Sequence, residues 1–197
     1  MITNYKDFKK YLLTLENKPS LLLHSCCAPC SSHTLIFLKE YFEITIFFDN
    51  SNIHPEEEYS KRLQEQIKLC NILGISIIHS KYRPQEYFDN IKGLEHLGEF
   101  SERCFKCYEF RMINSFNYAL ENNFDYFTTT LSISPYKNSD KINEIGYKLE
   151  NDKTKFLYSN FKKDMGYQNS IKLSKEFDLY RQHYCGCIYS KKEMLEC

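Results

Sequence analysis

The sequence predicts an α/β fold built on a parallel sheet. Short apolar segments alternate with longer amphipathic ones along the 197 residues, and strand–helix–strand alternation of this kind produces a parallel sheet with right-handed crossovers. Neither an internal repeat nor a low-complexity linker divides the chain, so we expect one domain over residues 1–197. Sites in such sheets lie beyond the carboxyl ends of the strands, where cysteines follow the first predicted strand.

Strands are predicted where apolar residues form short runs, at residues 21–24, 44–48, 75–79, 126–131 and 156–158. Helices are predicted between them, at residues 35–41, 55–73, 102–122 and 135–149. One helix thus separates each pair of consecutive strands, as the crossover connections of a parallel sheet require.

The helix predicted over residues 55–73 has the clearest signals. Pro55 suits a first helical turn, glutamates follow where the helix dipole favours negative charge, and Gly74 suits the position after the last residue. An apolar stripe recurs at spacings of four, four, three and three residues, at Tyr59, Leu63, Ile67, Cys70 and Leu73. Cys70 is therefore predicted to be a core residue. Arg62 lies off the stripe, where a surface ion pair is its ordinary structural role.

The charge balance limits the possible partners. The formal net charge is zero, which argues against a strongly basic protein that binds nucleic acid without specificity. Residues 153–197 carry nine Lys or Arg and five Asp or Glu, so their balance is +4 and that of residues 1–152 is −4. The basic segment predicts either a small basic surface or an ordinary solvated helical face. Residues 1–19 lack an apolar signal-peptide core and apolar runs reach only about five residues, so we expect a cytoplasmic protein without membrane segments.

Seven of the nine cysteines fall in three close groups. The groups are Cys26, Cys27 and Cys30 after the first strand, then Cys104 and Cys107, then Cys185 and Cys187. In a reducing compartment such thiolates serve as ligands more often than as disulfides, and they select zinc or iron–sulfur clusters. A zinc ion or a four-iron cluster takes four thiolates, so seven predict a cluster together with a second metal or a redox pair. A zinc site with spare thiols stays open, and Cys197 is left out of the site.

Motifs for nucleotide binding are missing from the sequence. The six glycines form no GxGxxG pattern, and Gly93 and Gly98, which have Walker-like spacing, are followed by Glu99 where a lysine is required. The loop after the first strand, which holds phosphate in many such folds, contains cysteines instead. These absences disfavour a kinase, an ATPase or an adenylating enzyme.

Six segments of the chain resemble the QueH-type epoxyqueuosine reductases. They are HSCCAPC (24–30), FFDNSNIHP (47–55) with Glu58, Tyr59 and Arg62 after it, RCFKCY (103–108), TTLSISPYK (129–137), FKK (161–163) with Gly166, and YRQHYCGC (180–187). Several motifs in the same order make the resemblance specific, and it covers residues 21–190. The family pattern also allows aspartate at the position of Cys30. It has Tyr-Asn-Pro-Asn more often near Asp49 and Ser51, so Asp49 is either an extra acid near the site or a tolerated variation.

The resemblance implies a Rossmann-like domain of the nucleotide alpha-hydrolase-like class, with a helical metal-binding portion and no nucleotide loop. It implies reduction of epoxyqueuosine to queuosine at the wobble position of tRNA, the last step of queuosine biosynthesis. The implied cofactors are a [4Fe-4S] cluster and an additional iron. The implied partners are tRNA carrying epoxyqueuosine and an external ferredoxin- or flavodoxin-like electron donor.

The resemblance and the cysteine groups together assign roles to particular residues. The cluster is expected on Cys104, Cys107, Cys185 and Cys187, and the additional iron on Cys26, Cys27 and Cys30, although the set of seven is better determined than its division. The candidate proton donors are Asp49, Tyr108 and Tyr184. The candidate substrate-binding residues are Asn52, Arg62, Lys137 and Arg181. Gly186 is expected to permit the tight backbone between two ligands that stand one residue apart.

Two other functions stay open at this point. A cluster-dependent tRNA sulfur-transfer enzyme predicts an ATP-binding loop, which the sequence lacks. A zinc-stabilised RNA-binding protein predicts colourless protein with four essential cysteines. Any RNA reader of this composition is expected to stack Tyr or Phe rings on an unstacked base, but the sequence does not rank its 15 Phe and 16 Tyr.

Overall fold

The structure, a computed structural model, describes residues 1–195 and contains a five-stranded sheet in the order β3-β2-β1-β4-β5. The strands are β1 Ser20–His24, β2 Glu43–Phe48, β3 Ser76–His79, β4 Tyr126–Thr129 and β5 Lys155–Phe156. Every neighbouring pair is parallel, so the predicted α/β class is confirmed and all five strands lie where the apolar runs predicted them. Residues 130–131, predicted as strand, instead begin a turn of 3₁₀ helix over Thr130–Ile133.

Eight α-helices surround the sheet within the described residues. They are α1 Tyr5–Leu12, α2 Ala28–Leu38, α3 Glu56–Leu73, α4 Pro84–Asn90, α5 Glu102–Glu121, α6 Ser139–Leu149, α7 Gly166–Glu176 and α8 Ile188–Leu195. Four of them were not predicted (α1, α4, α7 and α8), since they are short or carry too few apolar residues for a clear stripe. Among these helices none is both long and apolar enough to cross a membrane.

The sheet is buried most deeply at its centre. Strand β1 lies between β2 and β4, and Leu21, Leu22 and Leu23 are completely buried, as expected for a strand covered by helices on both faces. Each fully buried leucine contributes about 2 kcal/mol relative to an exposed one. This rigid centre fixes the position of the segment that follows His24, which carries the first cysteines.

Helix α2 begins at Ala28, seven residues before its predicted start. Pro29 occupies its first turn, where the missing N–H costs nothing. The early turns carry small polar residues that show no apolar stripe, yet they are buried because α7 packs against them. Gly166 opens α7 so close to α2 that an added Cβ would lie 2.9 Å from the His33 ring.

Helix α3 ends as predicted, with Gly74 in the left-handed conformation at φ +66°. Tyr59 and Cys70 are buried as the stripe predicts. The surface position of Arg62 is not found, because its side chain is 1% exposed, but an ion pair is present, with Glu58 at 2.7 Å. The physical reason is a second covering element: the segment before α8 lies across this side of α3, and the Tyr180 N–H donates to Glu65 Oε2 at 2.9 Å.

Candidate metal centre

Three cysteine sulfurs lie together where β1 leads into α2. Cys26 precedes the helix, Cys27 is its N-cap residue and Cys30 lies in its first turn. The three Sγ atoms lie within 4.8 Å of one another, and those of Cys26 and Cys27 are 3.9 Å apart. A tetrahedral ion with metal–sulfur bonds of about 2.3 Å places its ligands about 3.8 Å apart. The donor set of this triad therefore fits one metal ion with a coordination position to spare.

The surroundings of the triad favour a state with one thiolate and two thiols over a state with three thiolates. Hydrogen bonds from Cys27 and Cys30 hold the pKa of Cys26 well below its usual range. Burial raises the pKa of Cys27 to about 12. Since metals bind the deprotonated thiolate, binding at this triad releases protons and binds more tightly as pH rises.

A buried polar network holds the triad in place. Ser25 Oγ and Ser31 Oγ donate to Gln66 Oε1 at 2.8 and 2.9 Å, and the two hydroxyls also contact each other. The Asn50 side-chain amide donates to the Ser25 carbonyl at 2.8 Å. These partners come from β1, α2, α3 and the end of β2, so four elements together fix the loop that carries the cysteines.

The other four clustered cysteines line a second, enclosed cavity. Cys104 and Cys107 lie in the first two turns of α5, and Cys185 and Cys187 precede α8. Within the described residues only the triad brings three sulfurs inside 4.8 Å, so these four stand further apart. A cubane cluster is larger than a single ion and needs ligands more widely spaced. Their number and spacing therefore fit a cluster better than one ion.

Gly186 gives this second group its tight backbone, as predicted. Its φ is +130°, and an added Cβ would lie 3.0 Å from Arg62 Nη1 and 3.2 Å from Ile53 Cγ1. The Gly186 carbonyl accepts from the His54 N–H at 2.8 Å. Glycine is required both by the conformation and by the close approach of Arg62.

Two cations face the sulfurs without a carboxylate partner. Arg111 is 2% exposed, and Lys137 Nζ lies 2.9 Å from Cys185 Sγ. Within residues 1–195 no carboxylate lies within 4.0 Å of either, whereas Arg62 pairs with Glu58 at 2.7 Å. Burial lowers the pKa of both cations, but the neighbouring thiolates outweigh it and raise both. Arg111 Nη2 donates to the neutral Asn50 Oδ1 at 2.6 Å. Buried charges need partners of opposite charge, and the neighbouring sulfurs are the groups that can carry that charge.

Another cavity, open to solvent, lies beside the two cysteine groups. Its volume is about 640 Å³, and its walls include Cys26, Cys30 and Cys185. Lys137 and Cys185 line both this open cavity and the enclosed one. A ligand of nucleoside size in the open cavity would therefore reach sulfurs of both groups.

The three predicted proton donors lie in different surroundings. Asp49 is 1% exposed, accepts from Asn114 Nδ2 at 2.8 Å and lines neither cavity described above. Tyr108 lines the enclosed cavity, and burial raises its pKa. Tyr184 lines the open cavity, but its hydroxyl donates to the His54 carbonyl at 2.5 Å.

The four predicted substrate-binding residues also separate. Lys137 and Arg181 line the open cavity, whereas Asn52 lines the enclosed one. Arg62 lies behind the cysteine loop, where its guanidinium donates to the carbonyls of Cys185 and Tyr184 at 3.1 and 3.3 Å. It is thus screened from the open cavity and holds the loop instead.

Sequence reasoning missed two residues of the site. Gln182 Nε2 donates to Cys27 Sγ at 2.9 Å, a contact between residues 155 positions apart that no local pattern signals. Arg111 was missed although it follows Cys107 by four positions. Residues four apart share one helical face, so that spacing was the available signal.

Comparisons with known proteins agree with the resemblance. The family model described as "Epoxyqueuosine reductase QueH" matches residues 21–193. Proteins named epoxyqueuosine reductase QueH from Streptococcus pyogenes serotype M1 and Thermotoga maritima are 42% and 35% identical to this chain. The first match covers 89% of this chain and 71% of the relative, and the second covers 90% and 93%.

A solved structure shares the fold at low sequence identity. The U34-tRNA thiolase NcsA from Methanococcus maripaludis matches with a TM-score of 0.56 and 15% identity, over 97% of this chain and 70% of that chain. At this identity the likeness establishes the fold alone. It agrees with the predicted Rossmann-like, nucleotide alpha-hydrolase-like class.

Proposed function

The chain belongs to the epoxyqueuosine reductase QueH family, and on that premise we propose that it reduces epoxyqueuosine in tRNA to queuosine with a [4Fe-4S] cluster and an additional iron. The observation that carries the proposal is the meeting of seven cysteine sulfurs at one edge of the sheet, beside a cavity of nucleoside size. We further propose that residues 1–197 act as one domain, in the cytoplasm. The reaction consumes two electrons and two protons, breaks both carbon–oxygen bonds of the epoxide, forms a carbon–carbon double bond and releases water.

The spacing of the sulfurs supports a division of the ligands. Cys26, Cys27 and Cys30 are close enough for one iron. The four cysteines of the enclosed cavity are proposed to hold the cluster. When bound, the cluster would supply electrons singly and the iron would act as a Lewis acid toward the epoxide oxygen. An external ferredoxin- or flavodoxin-like protein is the proposed source of the electrons.

The residues of this chain then take distinct roles. Lys137 holds positive charge at Nζ between the two cavities and neutralises the sulfur of Cys185. Arg181 stands on the wall of the open cavity, 5.6 Å from the centre of the Tyr167 ring, and is proposed to meet a phosphate of the tRNA.

The three expected proton donors differ in how they support such a role. Tyr184 is the one that lines the open cavity, and its hydroxyl is engaged by the His54 carbonyl. We therefore propose that Tyr184 positions the loop bearing Cys185. Tyr108 is proposed to shape the wall of the enclosed cavity, which it lines. Asp49, which lines neither cavity and accepts from Asn114, is proposed to serve the fold.

Iron and sulfide assays on anaerobically purified protein, with a visible spectrum, test the metal content first. We expect brown protein with about five iron to four sulfide, and queuosine detected by mass spectrometry after incubation with epoxyqueuosine tRNA and a reductant. Colourless protein that holds one zinc and no sulfide after anaerobic reconstitution would contradict the proposal. Such a result would favour the zinc-stabilised RNA-binding protein.

A further inference from the structure

We propose that Phe100 and Tyr136 form an aromatic pair at the mouth of the open cavity that stacks on RNA bases flanking the modified nucleoside. This inference rests on the proposed function and adds to it the surface that grips the RNA. The chain has 15 Phe and 16 Tyr, all within the described residues. Two of these 31 rings are exposed, Phe100 at 56% and Tyr136 at 67%, and both line the open cavity.

The fold gives no reason for this exposure. The other aromatic rings are buried or half-buried, as their hydrophobic area favours. Phe100 also has φ +64°, a left-handed conformation that bulky residues rarely adopt and that costs on the order of 1–3 kcal/mol. Of the seven non-glycine residues with positive φ among the described residues, Phe100 is the one aromatic, and it lines the open cavity.

The two rings come from different segments that meet at the cavity. Phe100 ends the loop before α5, next to the turn that carries Cys104, and Tyr136 precedes Lys137 in the connection to α6. Each ring therefore lies within a few residues of Cys104 or Lys137, which line the enclosed cavity. A nucleotide stacked on either ring would lie beside the nucleoside that enters the cavity.

Charge considerations favour stacking over electrostatics as the source of affinity. The net charge of the chain is zero, so a large non-specific attraction to phosphate is absent. Of the cavity's two cations, Lys137 contacts Cys185 Sγ at 2.9 Å, which leaves Arg181 to meet a phosphate, and Glu99 and Glu193 on the same walls oppose further phosphate binding. Base–aromatic stacking supplies affinity without net charge and tolerates any base, since every base has a π-face.

The occupant that fits these features is single-stranded RNA. Enzymes that modify a base draw it out of the stack into a pocket, which leaves its neighbours unstacked at the rim. Anticodon loops present such unstacked bases, and RNA-binding proteins recognise them with aromatic side chains. The open cavity, of about 640 Å³, accommodates one nucleoside. The flanking nucleotides can then stack on Phe100 and Tyr136, which line the cavity and are more than half exposed to solvent.

Fluorescence anisotropy with a labelled RNA hairpin that carries the anticodon loop tests this pair on iron-loaded protein. Phe100→Ala and Tyr136→Ala are each expected to weaken binding about tenfold, within the range known for single stacked bases. Phe100→Tyr and Tyr136→Phe, which keep the ring, are expected to bind within about twofold of the unaltered chain. Ile72→Ala, at a residue 50% exposed that does not line the open cavity, is the matched control and leaves binding unchanged.

Steady-state kinetics add a second readout. The alanine variants are expected to raise the KM for epoxyqueuosine tRNA while kcat at saturating tRNA and iron content stay unchanged. Equal RNA affinity in the double alanine variant would overturn the proposal. So would loss of reduction with a protein electron donor but not with dithionite, which would identify the pair as a donor-docking surface. Failure of the proposed function looks different, because the unaltered chain itself would then make no queuosine.

Discussion

Two buried asparagines differ in whether their side-chain polar atoms have hydrogen-bond partners. Asn143 on α6 is 6% exposed and donates to the carbonyls of Ser139 and Ser159 at 2.7 and 2.8 Å, while its Oδ1 accepts from the Ser159 N–H at 2.8 Å. Asn52 after β2 is 2% exposed, and neither its amide nitrogen nor its oxygen has a partner among the described residues. Asn143 ties α6 to the segment that follows β5, and Asn52 lines the enclosed cysteine cavity.

The polar atoms of Asn143 are paired within the protein, whereas those of Asn52 need a ligand to pair them. A buried polar atom without a partner costs about 1–3 kcal/mol. Of the ten such side-chain atoms among the described residues, five belong to residues that line the open or the enclosed cavity, namely the two of Asn52, Arg111 Nε, Thr130 Oγ1 and Gln182 Oε1, and five, Ser159 Oγ among them, lie elsewhere. We infer that metal and substrate supply the missing partners of the five cavity atoms alone, so this edge of the sheet depends on its ligands for stability.

The largest expected effect compares two buried cysteines. Cys107→Ala is expected to abolish cluster binding and to reduce queuosine formation to background, because Cys107 lines the enclosed cavity. Cys70→Ala removes a cysteine that is 1% exposed on α3 and lines neither cavity, and this variant is expected to keep its iron. Iron and sulfide assays with single-turnover activity measure both. Full iron content in Cys107→Ala would show that the cluster lies elsewhere.

The next largest effect concerns Arg111, a buried cation that has no carboxylate partner within the described residues. Arg111→Met is expected to lower the free energy of unfolding of iron-loaded protein by about 3 kcal/mol, since a buried charge pair loses one partner. Iron-free protein is expected to lose less, because there the change mainly leaves Asn50 Oδ1 without the Arg111 donor. Thermal unfolding of both forms under anaerobic conditions measures the difference. Equal losses in the two forms would mean that Arg111 serves the fold rather than the metals.

These contacts also mark the limit of what the sequence predicts. The five strands and the ends of α3 follow from local signals, namely apolar runs and Gly74 at the helix end. Gly186 was also predicted correctly, because the demand on its backbone arises between adjacent residues. Arg62 was misplaced because the segment that buries it lies over a hundred positions away. Local patterns do not encode such packing, nor the contact of Gln182 with Cys27.

Replacing each asparagine by leucine tests whether the two side chains contribute differently to the stability of iron-free protein. Asn143→Leu is expected to destabilise iron-free protein by about 3 kcal/mol, because three hydrogen bonds of about 1 kcal/mol each are lost. Asn52→Leu is expected to leave iron-free protein as stable or more so, since it removes two unpaired polar atoms from a buried site. Chemical denaturation of both variants measures this. Equal destabilisation would show that Asn52 has protein partners and would remove the contrast.

In iron-loaded protein the variant at Asn52, rather than the one at Asn143, is expected to show the effect, and the measured quantity is the reduction potential of the cluster. Hydrogen bonds to the sulfurs of a cluster raise its reduction potential, and the amide of Asn52 lines the cavity proposed for the cluster. Asn52→Leu is therefore expected to lower the midpoint potential, while Asn143→Leu leaves it unchanged. A redox titration followed by electron paramagnetic resonance measures the shift. An unchanged potential in Asn52→Leu would assign this amide to another ligand.

The smallest expected effect concerns the ion pairs of α6, whose charged side chains are exposed to water. Lys148 and Lys141 contact Glu144 at 2.6 and 2.9 Å, and their hydrogen bonds lower the pKa of Glu144 to about 2 from its ordinary 4.5. A lowered carboxyl pKa stabilises the fold above pH 4.5, and this contribution fades as pH falls toward 2. Because water screens exposed pairs, Glu144→Gln is expected to lower the thermal midpoint at pH 7 by only about 2 °C. The loss should shrink between pH 4.5 and 2 and disappear in about 1 M salt. A larger loss that persists in salt would mean that these surface charges support the fold as strongly as the buried contacts of Asn143 do.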